Sequence, residues 1–333
     1  MKATKENPIY TVYVISGDRK YNVTGATDSL DLSQQEKQIA QTATVSLADT
    51  QVSGKWLSDI ISERDRVFIY ANDGEQSGEV FRGFVWTISD KASTGDDTFT
   101  LKCYDNLIYF QESDEYEYFS SGKSTKSIIS SLCSKWGVSV DYDYDSITHS
   151  QLVLRGALAD VITADVLDLV KARTGTNYVV RSEKDRIQIK RIGSNTTIYT
   201  IAKGKNAIEF KRTRSMDGMI TKVVILGKAD NDDRAPVEAT VKGNTDKYGT
   251  LQKLINRNEN TSLADAKREA QSTLNEKGAP SVDIDVKTVD IPWIKKGDKV
   301  RVDLGRISGL FIVKGVDREI SNKGKKMTLT LTK

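Results

Sequence analysis

Period-two alternation of apolar and polar positions governs the first hundred residues. Residues 9–15, 42–47, 67–70, 80–88 and 98–103 each read as half-buried strands, punctuated by turn residues such as Asn72, Asp73 and Gly74. A short amphipathic piece over 55–61 interrupts the strand run. Residues 106–110 add a helical turn before an acidic stretch over 112–117.

The period changes at Ser121. Ile128, Ile129, Leu132, Cys133 and Trp136 recur at helical spacing, with Ser124 placed to cap the start and Gly137 to stop the end. A second helix over 163–174 puts Val166, Leu167 and Val170 on one face and has Gly175 just past its end. A hairpin over 178–190 follows, turning at Glu183, Lys184 and Asp185. After Lys205 the alternation returns near 208–212 and 220–226. A polar excursion (about 229–250), a helix (262–277) and four strands (282–287, 299–304, 310–320, 327–332) complete the chain. The fold class expected is mainly β with an α+β insert. A first β-module occupies 1–118, a small α/β insert domain 119–204, and a second β-module 205–333.

Two stretches share an order of features. Asp65-Arg66-Val67 leads one and Asp298-Lys299-Val300 the other; Phe81-Arg82-Gly83 in the first answers Val313-Lys314-Gly315 in the second. Five residues after each glycine stands Ile-Ser-x-Lys, as Ile88, Ser89 and Lys91 or as Ile320, Ser321 and Lys323. Each copy then passes a glycine, Gly95 or Gly324, into a Thr-rich strand suited to a pleated surface, 98–101 or 328–331. Either strand, turn and strand have converged, or one module has been duplicated. Duplicated modules in a closed trimer would place six similar units around one axis.

Composition narrows the picture by exclusion. With 333 residues, 38% hydrophobic and 29% charged, the chain has material for two or three cores and is neither disordered nor fibrous. Lys plus Arg number 49 against 46 Asp plus Glu, so no global field points to nucleic acid or membrane. No apolar run approaches the roughly 18 residues that span a bilayer, and residues 1–10 lack a signal-peptide core, so cytoplasmic synthesis and no membrane insertion are expected. Cys103 and Cys133 fall on apolar faces and read as buried thiols. With His149 they are too few for a soft-metal site.

Four clusters compete as sites. Gly122-Lys123-Ser124-Thr125 has the end of a phosphate loop, but Glu117 stands where that loop needs its first glycine, so a helix cap is the better reading. Asp141, Asp143 and Asp145 open like a calcium loop yet have Ser146 and Leu152 at its glycine and glutamate positions. A strand with one aqueous face, or a weak hard-cation site, fits them. Asp230, Asn231, Asp232, Asp233 and Arg234 read as a solvated loop, with a cation site or a carboxylate pair of a wall hydrolase as the alternatives. Lys211, Arg212 and Arg214 with Lys295, Lys296 and Lys299 read as a solvated basic face, without the interleaved aromatics of a single-strand binder. No catalytic, cofactor-binding or metal-ligating residue is therefore assigned, and no enzyme activity or cofactor is expected.

The order of β-module, α/β insert and interrupted second β-module, with the run Trp293-Ile294-Lys295-Lys296-Gly297-Asp298-Lys299-Val300, resembles the PBSX-type (XkdQ/YqbQ-like) baseplate hub proteins of phage and prophage tails. That group is related to late control protein D and to the central hub of contractile tails. The resemblance implies two tube-like β-barrel modules per chain and a homotrimer forming a pseudo-sixfold ring. Such a ring adapts a hexameric tail tube, or a distal tube protein, to a trimeric central spike among other baseplate proteins. It also implies a structural part of a virion or phage-like particle, assembled in the bacterial host cytoplasm and not tied to a nucleic-acid sequence. The competing expectation is a cell-wall-binding module or wall hydrolase of a tail.

Overall fold

The computed structural model describes residues 7–91, 97–228, 234–257 and 261–333. They fall into two compact units. One holds the chain up to Phe210 and again from Asp285; the other is Lys211–Ile284. The expected second module thus spans both. The fold is mainly β, as the alternation predicts.

In the first unit, β1 (Ile9–Ser16), β2 (Arg19–Asn22), β3 (Thr27–Gln34) and β4 (Thr42–Ala48) are followed by the two-residue strands β5 (Gln51–Val52) and β6 (Lys55–Trp56) and a helical turn, Leu57–Ile60. Then come β7 (Arg66–Asn72), β8 (Ser77–Lys91) and β9 (Thr98–Tyr104). Alternate residues of these strands close one core, with Val12, Val14, Leu30, Leu32, Val45, Ile69, Phe99 and Leu101 all buried.

The insert carries β10 (Asp114–Phe119), β11 (Val140–Tyr142), β12 (Leu152–Ala157), β13 (Tyr178–Glu183), β14 (Arg186–Arg191) and β15 (Thr200–Ala202). Its helix Thr125–Lys135 is capped by Ser124, whose Oγ accepts the Ser127 N–H at 3.2 Å. The helical stretch over 158–174 ends at Gly175 in the left-handed region (φ 73°), whose N–H closes on Lys171 O. Ile128, Ile129, Leu132, Val166 and the strand residues Ile187 and Ile189 fill a second core. Lys184 and Asp185 take positive φ (51° and 64°), the two-residue turn that matches strand twist, and close the β13–β14 hairpin. The acidic stretch runs into a strand. Glu115 lies in β10 and is buried because Lys135 Nζ (2.6 Å) and the Trp136 indole (2.9 Å) donate to it.

β16 (Ala207–Ser215) carries the chain out of the first unit. The expected polar excursion holds a strand. β17 (Lys222–Leu226) pairs with β18 (Val237–Lys242) and β19 (Gln252–Asn256), and Val223 and Ile225 pack on Ala266, Ala270 and Leu274 of the helix Leu263–Lys277. Residues 229–233 lie outside the described ones. β20 (Ser281–Val289) leads back to β21 (Lys299–Asp303), β22 (Ser308–Ser321) and β23 (Gly324–Thr332). One sheet runs β16-β20-β23-β22-β3-β4-β9-β8-β7-β1-β2, with β21 on β22 and β15 on β21.

Within that sheet the two copies are hydrogen-bonded alike. Asp65 O accepts the Val85 N–H at 2.9 Å, and Asp298 O accepts the Val313 N–H at 2.8 Å. Val85 O takes the N–H of Arg64 at 2.7 Å, and Val313 O that of Gly297 at 2.7 Å. Asp65 Oδ2 caps Ser62 N at 2.9 Å, as Asp298 Oδ2 caps Lys295 N at 2.8 Å. Both ladders skip one residue at the same point, Trp86 between Val85 and Thr87, Lys314 between Val313 and Gly315.

This register corrects the sequence alignment. Leu101 lies opposite Ile88 and Leu329 opposite Val316, so Val316, not Ile320, is the counterpart of Ile88. Ile320 faces Lys325 beside the turn. The shared Ile-Ser-x-Lys string and the Gly83/Gly315 match are therefore displaced by four residues, because the ladder, rather than the string, sets the pairing; Gly95 lies outside the described residues.

Candidate assembly site

The pairing of β3 with β22 joins the copies edge to edge, antiparallel, with Leu30 opposite Ile320, Leu32 opposite Arg318 and Gln34 opposite Val316. Side chains lock it. Ser33 Oγ and Gln35 Nε2 both donate to Asp317 Oδ1, at 2.6 and 2.7 Å. Lys314 pairs with Glu36 at 2.9 Å. Buried Arg318 faces buried Asp290 (3.1 Å) and donates to the carbonyls of Ile291, Pro292 and Ile294, while Tyr10 Oη donates to the same carboxylate. Burial, then the Asp290 charge, pushes the Tyr10 hydroxyl far above its usual range, so it stays a donor.

The insert hairpin grips both copies. Asp185, at its turn, receives Arg66 (2.6 Å) and Arg82 (3.0 Å) from the first copy. From the second, Arg181 meets Asp298 at 2.7 Å and Glu183 meets Lys295 at 3.0 Å. Burial opposes ionisation of Asp185, but the two guanidiniums prevail and hold its carboxyl below the usual range. Between hairpin and sheet lies a polar cavity of about 70 Å³, lined by Gln41, Glu79, Arg82, Asp105 and Glu183 among others.

The basic face divides. Lys211, Arg212 and Arg214 are exposed on β16. Lys295 is spent on Glu183. Lys296 is buried, its Nζ donating to the carbonyls of Gln35 (3.0 Å) and Gln38 (2.5 Å), and burial lowers its pKa to about 8. It is an internal strut, which sequence reasoning missed because lysine is seldom buried without such partners.

The other clusters have structural partners. In the loop before the Thr125–Lys135 helix, Gly122 N–H donates to His149 O and His149 N–H to Lys123 O, so those amides are committed. Thr125 Oγ1 lies 2.8 Å from His149 Nε2, and burial followed by the Arg173 charge lowers the pKa of that imidazole. Asp141 pairs with Arg186 at 2.5 Å and Asp145 with Arg191 at 2.8 Å, while Tyr142 points inward. Asp143 is exposed. Cys103 and Cys133 are buried free thiols, and burial pushes Cys133 up to about 12. The carboxylates of Asp230, Asp232 and Asp233 lie outside the described residues.

The architecture is that of phage and prophage tail proteins. The chain is similar to a tail protein from Neisseria meningitidis MC58 (TM-score 0.72, 15% identity, 97% of this chain and 96% of that one). It is similar also to the 43 kDa tail protein of prophage MuSo2 from Shewanella oneidensis (TM-score 0.73, 10% identity, 98% of each chain). Residues 20–332 match the YQBQ-like family, and the chain belongs to that family. Among its relatives is the phage-like element PBSX protein XkdQ of Bacillus subtilis (strain 168), 23% identical over 286 residues, 82% of this chain and 85% of the relative.

Proposed function

We propose that this chain is the structural hub of a phage or phage-like tail baseplate. It works as a homotrimeric ring whose two tube-like modules per chain adapt a hexameric tube to a trimeric spike, without catalysis. The observation that carries the reading is the hydrogen-bonded equivalence of Asp65–Val85 with Asp298–Val313. A chain with two like modules presents six in a trimer, near-sixfold toward a tube and threefold toward a spike. The tail-protein fold of its neighbours and its family membership support the same reading. Its place is then the tail baseplate of a particle put together in the host cytoplasm.

Native mass spectrometry and negative-stain class averages of the purified chain test it. A mass of three chains and rings with threefold symmetry are expected. A monomer at assembly concentrations, or release of sugars or peptides from purified cell walls, overturns it.

A further inference from the structure

We infer that two turns distant in sequence, Lys203-Gly204-Lys205 and Lys323-Gly324-Lys325, together form a docking site for a segment of another protein that carries acidic and apolar side chains. The site is complete within one chain, so it goes beyond the hub reading and does not need the ring.

The end of β20 brings the turns together. Val289 N–H donates to Asn206 O at 3.1 Å, and the next amide, that of Asp290, donates to Lys325 O at 3.2 Å. Two consecutive amides of one segment thus fasten one turn each. Lys203 is placed by its own N–H, which donates to Asp303 O at 2.9 Å, and Lys323 by an N–H that Ser321 Oγ accepts at 3.2 Å.

The amines so gathered are uncompensated. Lys203, Lys205 and Lys323 are exposed and Lys325 is half-buried, and none has an ion pair among the described residues. Acids on the adjoining segments do not serve them. Glu319 pairs with Lys287 (3.6 Å), Asp290 is buried against Arg318 (3.1 Å), and Asp303 is exposed and pairs with none of the four. Elsewhere on the same sheet a lysine is given its acid, as Lys314 is given Glu36 at 2.9 Å. Four ammonium groups held together without an acid repel one another and set up a local positive potential that an anionic partner relieves.

Comparison of the two copies points the same way. Thr98 lies opposite Lys91 in the first ladder and Lys326 opposite Glu319 in the second, so Asp97 stands where Lys325 stands. The stretch 65–103 holds seven acids and four bases, whereas 298–331 holds four acids and eight bases. Modules with the same hydrogen bonds therefore carry opposite charge. The fold does not require that difference, and it limits the site to one per chain.

The surroundings of the amines define the partner. Val289, which makes the bond to Asn206, is 40% exposed, and Ile208, two residues past Asn206, is 51% exposed. Apolar side chains beside ammonium groups fit a peptide in which acids and apolar residues are mixed. A phosphate backbone offers nothing to cover them. Neither turn carries an aromatic ring on which a base could stack, and the cations are lysine point charges rather than the forked guanidiniums that match phosphate.

Fluorescence anisotropy with labelled probes and the full chain tests it. The probes are an octapeptide alternating Glu and Leu, one alternating Glu and Ser, and a short DNA duplex. Lys203→Glu/Lys205→Glu and Lys323→Glu/Lys325→Glu change the turns, and Lys123→Glu/Lys126→Glu makes the same change of charge at two exposed lysines of the insert. The Glu-Leu peptide should bind at one site per chain, more tightly than Glu-Ser, and at least tenfold more weakly to either turn variant while the insert variant binds like the parent. Lys323→Gln/Lys325→Gln, which adds no acid beside Asp290, should weaken binding in the same direction with the thermal transition kept. Equal losses in the turn and insert variants, or no binding at about 1 mM peptide, overturn the site. DNA bound more tightly than Glu-Leu with the same dependence on these lysines overturns the peptide as occupant, and equal affinities for the two peptides overturn its apolar part. Native mass spectrometry reads the oligomer separately: a monomer that binds one peptide upholds the site and overturns the trimer, and a trimer that binds none does the reverse.

Discussion

The indole N–H of Trp293 donates to Asp73 Oδ2 at 2.6 Å, tying the entry of the second copy to the β7–β8 turn of the first. Asp73 Oδ1 meanwhile accepts the backbone N–H groups of Glu75 and Gln76, at 3.0 and 2.8 Å. One carboxylate shapes its own turn and holds the other copy.

That double use gives a pH signature. Burial resists the charge on Asp73, but the Gln76 amide, the indole and the Glu75 amide prevail and hold its pKa below the ordinary value. A depressed carboxylate contributes stability that is present above its unfolded pKa and is lost as pH falls through the folded one. Trp293→Phe keeps most of the ring but drops the donor, and should cost about 1.5–3 kcal/mol at pH 7 in urea unfolding. The deficit should shrink below pH 4; a deficit constant with pH would place the loss in packing instead.

Asp105 has the opposite sign. It is buried, accepting the N–H groups of Gln41 and Leu107, and burial outweighs those bonds and the Lys296 charge to push its pKa up to about 7 from an ordinary 3.8. Between those values the folded chain binds the proton that the unfolded chain has released, so stability falls as pH rises from 4 to 7. The limiting slope is about 1.4 kcal/mol per pH unit for one group. Asp105→Asn should flatten this part of the stability–pH curve relative to the parent. Parallel curves would show that Asp105 does not titrate there.

Much of the fold was legible because alternation and caps are local. β4, β7, β9 and the Ser124-capped helix follow their patterns. β3 is hidden from the pattern because TDSLDLSQ offers only Leu30 and Leu32 as apolar residues to the core and uses other positions in the junction with β22. β10 is hidden because Glu115 and Glu117 have the pattern of a solvated stretch, whereas Lys135, 18 to 20 residues away, pairs with both. The repeat was visible but misregistered. Asp65 and Asp298 are true counterparts, while the bulge at Trp86 and Lys314 leaves no mark in one-dimensional spacing. The β3–β22 junction depends on contacts between residues some 280 apart, beyond the reach of periodicity.

Arg318 is the charged member of that junction most exposed to the cost of burial. Arg318→Met leaves Asp290 desolvated with Tyr10 as its remaining side-chain donor, a loss of about 3–5 kcal/mol for a broken buried pair. Adding Asp290→Asn removes the stranded charge and should recover at least 1 kcal/mol of this. Urea midpoints of the single and double variants decide it; a double variant no more stable than Arg318→Met would mean the arginine acts by filling space.

The two copies also make the same demand of one backbone position and meet it with different residues. Arg64 and Gly297 occupy the same place in their turns, each N–H donating 2.7 Å to the paired valine carbonyl, with φ of 70° and 85°. A left-handed conformation costs a side-chain-bearing residue about 1–2 kcal/mol that glycine avoids. The first copy bears that cost and the second does not. Arg64→Gly relieves strain but frees the unfolded chain, so its net effect should lie within about 1 kcal/mol of zero. Gly297→Ala meets both the strain and a wall, since its Cβ would sit 2.6 Å from Val179 Cγ1 and 2.9 Å from Val179 Cβ. The insert hairpin, which packs on the second copy there, makes the site intolerant, and the loss should exceed about 2 kcal/mol. Pairing Gly297→Ala with Val179→Ala separates the two terms. If the clash dominates, the second substitution recovers part of the loss; if none returns, backbone strain accounts for it, and the same alanine at Arg64 should then be no less stable than the parent.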